Sequence, residues 1–545
     1  MMKKHKIGVL IGILGVITLF LTACGQKQST KDKQELHLSA SAPLDTIDIS
    51  KSTGYGQTGN VFESFYRLGE NGKPTAGLAK SAKVSDDGLV WTFTLRNANW
   101  SNGDKITAQD FVYSWRRSLN PKTASPYAYL FSGIKNADAV SQGKVSAKEL
   151  GIKALNTNTV QVTLDKPIAY FKVLMAYPLF GPQNQKVVEK YGKKYATNSK
   201  YMVYSGPFVI KDWTGTSDKW SFVKNPNYWD KSKVKLNKIS YKVVSNPNTG
   251  YELYQQGKLD LTPLSSQQVK NYKNNAEFKQ YPYSYVAFLA YNFNDSNADN
   301  KKALNNQNIR RALSLALDRK VLTKKVFGDG SQVPTGFVAT DLAKNPKTGV
   351  DFAKEQAVKN TVSYNVKLAK HYWQKGLAET GLKNLTFTIL ASSDTATNDA
   401  LTQYLQSQYT KVLPGLNVKV QNIPGKSASE RAKKGEFDIY VSGWGGDFND
   451  PITFLQIPLT GTSYNYGGYS NEAYDQLIAK ATNEDANNEV ARWNDLVAAA
   501  KIFNSQQGVS PLYQQTTAYL QRKTVKGIIH NTAGTQWNYK YAYIK

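Results

Sequence analysis

Apolar and polar positions alternate with two distinct periods along residues 35–545, and the two periods trade places repeatedly. Residues 35–42 alternate weakly. Residues 90–96, Val-Trp-Thr-Phe-Thr-Leu-Arg, alternate with the strand period, and Trp213, Trp220 and Phe222 fall where further strands are expected. Residues 285–293 are apolar on both faces, as in a strand buried inside a mixed sheet. Helical spacing is expected at 60–67, ended by Gly69, and after residues 107–110, where Thr107 and Asp110 form a capping-box-like start before Phe111, Val112 and Trp115. It returns at 309–317, after the cap Asp318, and at 367–377, 395–409 and 473–481, with strands at 385–390 and 416–420 between. Strand–helix–strand alternation leading to a strand at 437–442 predicts a three-layer α/β lobe.

The N-terminus breaks this pattern. Lys3, Lys4 and Lys6 precede an apolar run from residue 7 to 21, and Leu21-Thr22-Ala23-Cys24 closes it. A run of ~15 residues is short for a membrane span of ~20, so residues 1–23 read as a signal peptide. Cys24 is the only cysteine, which excludes an internal disulfide or cysteine metal cluster and leaves a lipid thioether as its use. Residues 24–34 carry too little apolar surface to bury and read as a tether.

The remaining ~510 residues exceed one core and suit two or three domains. Net charge is +28, or +25 without the three leader lysines, a balance that in a cytosolic protein would point to nucleic acid. The lysines are scattered instead of gathered in a stripe, so the charge is assigned to surroundings and solubility, with no nucleic-acid partner.

Candidate chemistry concentrates at 437–451. Gly443, Gly445 and Gly446 flank Trp444 and leave the backbone open to close approach by another chain. Asp447 follows, a carboxylate placed to pair with an ammonium group; an Asx turn into Asn449-Asp450-Pro451 is the alternative the local residues leave open. Gly54-Tyr55-Gly56-Gln57-Thr58-Gly59 has the form of a dinucleotide loop but lacks the buried strand before it, and reads as a turn. The four histidines show no metal-ligand spacing and no nucleophile motif occurs, so no catalytic residue, metal or cofactor is assigned. Asp447 and Asp450 could imitate the two carboxylates of a secreted carbohydrate hydrolase, a reading from another class kept open here.

The run Gly443-Trp444-Gly445-Gly446-Asp447-Phe448-Asn449-Asp450-Pro451 resembles the Gly-Trp-x-x-Asp-Tyr-x-x-Pro segment of oligopeptide-binding lipoproteins of ABC importers, within extracellular solute-binding protein family 5. Further similar segments are 77–79, 84–96, 124–129, 205–210, 224–230 and 311–334. The resemblance implies an α/β, periplasmic-binding-protein-like type II fold: a three-domain, two-lobed hinged trap with mixed sheets. Domain I would take 35–69, 204–285 and 506–545, domain II 70–203 and domain III 286–505. It further implies that Asp447 pairs with a peptide α-ammonium, Trp444 borders side-chain pockets, Gly443 and Gly445 bond the peptide main chain, and Tyr127 lies near the peptide amino end. The implied partners are oligopeptides and an ABC permease and ATPase complex. The implied place is the outer face of a bacterial, Gram-positive membrane, where a monomer is held by lipid on Cys24; a signalling-peptide (pheromone) receptor is the alternative on the same fold. One departure stands out. Family arginines that receive the carboxylate of short peptides are replaced by Val441 and Ala432, with Arg431 beside the second position.

Overall fold

The computed structural model describes residues 34–52 and 54–545; Cys24, the expected signal peptide and the tether up to residue 33 lie outside the described residues. In chain order the strands of three or more residues are β1 (Glu35–Ala40), β2 (Tyr66–Leu68), β3 (Pro74–Ala76), β4 (Ala79–Val84), β5 (Val90–Leu95), β6 (Ile152–Asn156), β7 (Thr159–Thr163), β8 (Phe208–Lys211), β9 (Lys219–Lys224), β10 (Lys238–Val243), β11 (Leu261–Pro263), β12 (Phe278–Tyr291), β13 (Leu385–Ser392), β14 (Leu416–Ile423), β15 (Ile439–Gly445) and β16 (Val509–Gln521). Ten of them form one mixed sheet in the order β14-β13-β15-β12-β16-β11-β1-β10-β9-β8, while β4-β5-β7-β6 form a separate antiparallel sheet.

The long strand β12 explains why its sequence is apolar on both faces. Val286, Phe288 and Ala290 point into one hydrophobic core, whereas Ala287, Leu289 and Tyr291 point into another that also holds Leu313, Trp373 and Tyr409. Each face therefore belongs to a different layer of helices, and no polar side chain could alternate in without burial cost. The four-stranded sheet is packed differently, by the helix Ala108–Ser118, whose capping box at Thr107 and Asp110 is formed. Phe111 of that helix stacks on Phe65 at 4.1 Å, and Phe65 stacks on Phe93 of β5 at 4.2 Å.

β12 and β16 join the two halves of the large sheet. They pair from Phe278↔Leu520 to Pro282↔Thr516 and again from Val286↔Gln514, with a bulge between. Residues 283–285 occupy that bulge.

Three expectations fail locally. Residues 60–67 are not a helix: a 3₁₀ turn, Thr58–Asn60, runs into extended chain and β2. The i,i+4 pair Glu63–Arg67, at 3.0 Å, resembles a helical ion pair, but the buried guanidinium also donates to the carbonyls of Gly59 and Phe62 at 2.9 and 3.0 Å. A side chain thus satisfies carbonyls that helical N–H groups would otherwise bond. Trp213 lies beyond the end of β8, buried in a loop instead of on a strand. The strand expected at 437–442 runs as β15 through Gly443, Trp444 and Gly445, so the glycines sit within it.

Candidate functional site

The segment after β15 is pinned on all sides. Gly446 N–H donates to the Ser284 carbonyl at 2.9 Å, tying it to the bulge in β12. Asp447 N–H donates to Thr453 Oγ1 at 3.0 Å, and its carbonyl accepts from the Tyr177 hydroxyl. Asp450, not Asp447, makes the Asx-type turn, accepting the Ile452 N–H at 3.0 Å. Both Asp450 oxygens also take the Arg492 guanidinium, at 2.7 and 2.8 Å. That bidentate pair is buried and closes off the Asp450 carboxylate.

Asp447 is left facing a cavity of about 240 Å³, lined by Tyr55, Tyr127, Tyr177, Tyr283 and Gln536 together with backbone of Gly54, Gly56, Gly445, Gly446 and Gly534. The predicted neighbours Tyr127 and Gly445 are therefore at its wall. Burial raises the Asp447 carboxyl from 3.8 to about 6, and a hydrogen bond from the Tyr129 hydroxyl opposes that rise only in part. Its Oδ2 is buried and has no hydrogen-bond partner among the described residues. Tyr127 is itself raised, by burial first and by the Asp447 charge second. Such a carboxylate is short of one thing, a cationic hydrogen-bond donor.

On the other side of Gly445, Trp444 and Gly443 border a second cavity of about 300 Å³. A Cβ on Gly443 would overlap the Tyr285 phenol, so the room above this glycine is taken by Tyr285 and not left free for another chain. Close backbone approach is available along an edge instead. β13 pairs with β15 only at Ile389↔Ile439 and Leu390↔Tyr440, whereas β12 pairs as far as Gly445. From Val441 onward the second edge of β15 has no strand neighbour among the described residues.

Val441 lies on β15, and Ala432 and Arg431 lie on one helix. Ala432 is fully buried in the helix Gly425–Lys433, and Arg431 bonds Gln421 Oε1 at 2.8 Å and lies 3.7 Å from Glu436. None of the three presents a cation to either cavity. No group of three or more His, Cys, Asp or Glu side chains suited to a metal occurs among the described residues. His530 is part-buried against Tyr281 and Trp537, and loss of solvent there lowers it to about 4.

The walls of the Asp447 cavity were mostly beyond sequence reasoning. Tyr177, Tyr283 and Gln536 carry no local motif. The loop 54–56 did carry one, its paired glycines, and both line the cavity.

Residues 73–466 match the family described as bacterial extracellular solute-binding proteins, family 5 Middle. The dipeptide-binding protein of Lactococcus lactis is 40% identical over the whole of both chains. Among solved structures, Listeria monocytogenes OppA bound to peptide is 38% identical, with a TM-score of 0.73 over 94% of this chain and 99% of that one. The unliganded open form of the murein tripeptide-binding protein MppA is 30% identical yet has a TM-score of 0.79, over 94% and 98%.

Proposed function

Because this chain belongs to family 5 of the bacterial extracellular solute-binding proteins and has their type II α/β fold, we propose that it captures extended oligopeptides and hands them to an ABC permease and ATPase complex. Members of this family bind solutes and are not enzymes. The observation that carries the proposal is the buried Asp447 carboxylate, with one oxygen unpartnered among the described residues, at the wall of a cavity where six separate stretches of the chain meet. A peptide α-ammonium supplies the missing donors and charge. Trp444 then borders the side-chain space, Gly443 and Gly445 offer main-chain groups on the open edge of β15, and Tyr127 packs near the first residue. Main-chain bonding along that edge adds the peptide as one more strand.

In this reading domain I (35–69, 204–285, 506–545) and domain II (70–203) form one lobe and domain III (286–505) the other, hinged at the bulge of β12. The chain acts as a monomer on the outer face of the membrane, held by lipid on Cys24. The hydrolase alternative loses its second carboxylate, since Asp450 is bound on both oxygens by Arg492. Calorimetry with matched free and N-acetylated peptides tests the proposal: free peptides bind, and acetylation weakens binding at least tenfold. Equal affinity of the two overturns the ammonium site, and hydrolysis of any peptide or glycan overturns the class.

A further inference from the structure

The cavity beside Trp444 differs in chemistry from the one at Asp447. Seven rings wall it, those of Tyr285, Phe288, Tyr440, Trp444, Tyr464, Tyr466 and Tyr513, and its polar rim comes from Ser392, Asn398, Ser429 and Ser442. Among the described residues no acidic or basic side chain lines it. Nearby, Lys433 is paired with Glu430 at 2.9 Å, and Arg431 is turned toward Gln421. Tyr464 meets the edge of Trp444 at 5.0 Å while remaining 51% exposed, an aromatic surface open to be covered.

Position along β15 sets which part of a ligand arrives here. Gly445 borders the Asp447 cavity, and Gly443 and Ser442 border the aromatic one. They stand two and three residues apart, roughly 7–10 Å along an extended strand. An extended peptide held by its ammonium places its third or fourth side chain at that distance. A charged side chain there would lose water and gain no counter-charge, whereas a ring or branched aliphatic chain meets aromatic faces and edges.

Building on the peptide-binding reading above, we infer that this cavity is a selective pocket for an aromatic or branched aliphatic side chain at the third or fourth peptide position. The test uses alanine hexapeptides with a free amino end and Phe, Leu, Asp or Lys at one position, titrated by calorimetry into the full chain in detergent. Phe and Leu at position three or four bind at least tenfold tighter than Asp or Lys there. Tyr464→Ala, at a half-exposed site, compresses that ratio to under threefold. Ser442→Asp, which places a charge on the rim, turns the preference toward Lys. A flat profile at positions three and four, with N-acetylation still weakening binding, overturns the pocket and leaves the ammonium site standing. A preference for Asp or Lys in the wild type, or a ratio unchanged in a Tyr464→Ala protein that melts like wild type, also overturns it. Failure of every free-amino peptide to bind overturns both readings.

Discussion

Peptide affinity should fall as pH drops below about 6, and Asp447 should be the reason. In the empty protein burial lifts its carboxyl from 3.8 to about 6, a differential cost to the charged form of about 3 kcal/mol. A raised folded-state value adds stability that is fully present below pH 3.8 and lost as pH rises through about 6. A bound ammonium acts in the opposite sense, because it favours the carboxylate and draws the value back down. Affinity for a free-amino peptide is therefore full above pH 6 and declines up to tenfold per pH unit below it, until the lowered value of the bound state is reached. Asp447→Asn keeps the shape and removes the charge. The empty variant should be more stable than wild type at pH 7, should bind free peptides more weakly by about 2–4 kcal/mol, and should lose the pH dependence between 4 and 7. Among residues lining the cavity Asp447 is the one acid; the others that titrate are tyrosines. Calorimetry from pH 4 to 8 with free and N-acetylated peptides, on both proteins, reads all of this. A pH profile that persists in the Asn variant, or an Asn variant less stable than wild type at pH 7, would refute the reasoning.

Three more outcomes are expected. Arg492→Leu strands the buried Asp450 carboxylate and should cost about 3–5 kcal/mol, with partial recovery in the Arg492→Leu/Asp450→Asn double variant; an unchanged denaturant midpoint for the single variant counts against a structural role for the pair. Cys24→Ser should yield folded protein that is shed or retained unprocessed, since stable anchoring needs more than one acyl chain's hold, and unchanged membrane fractionation with unchanged mass contradicts it. Amidating a peptide's C-terminus should cost under ~1 kcal/mol, as for an exposed charge contact, whereas a sharp affinity optimum at one length, abolished by amidation, would reveal a carboxylate site elsewhere.

What the sequence revealed and what it concealed follow from how local the determining contacts are. β5 was legible because one face is buried and the period is two, and β12 because burial on both faces forbids polar positions. The helix Glu489–Gln506 was not: it buries Arg492 and Asp495 beside Leu496, Val497, Ala499 and Ala500, so no apolar stripe marks it. Asp447 announced itself through the glycines around Trp444, but Tyr55, Tyr177 and Gln536 reach its cavity from distant parts of the chain, and only folding brings them there.

The missing arginines were visible as Val441 and Ala432; what the structure adds is why Arg431 cannot stand in. Successive residues on an α-helix are about 100° apart around its axis. Ala432 is fully buried on the core-facing side of Gly425–Lys433, so its neighbour must leave in another direction. Arg431 does so, meeting Gln421 at 2.8 Å and Glu436 at 3.7 Å. Bringing it to the aromatic cavity would break both contacts and rotate a helix whose Ala428 and Ala432 are packed against Leu390 and Phe437. A cation at a fixed distance from Asp447 would measure peptide length from the carboxyl end. With Arg431 held away and Val441 apolar, neither supplies such a cation, and under the proposed amino-end grip chain length should carry little weight in binding.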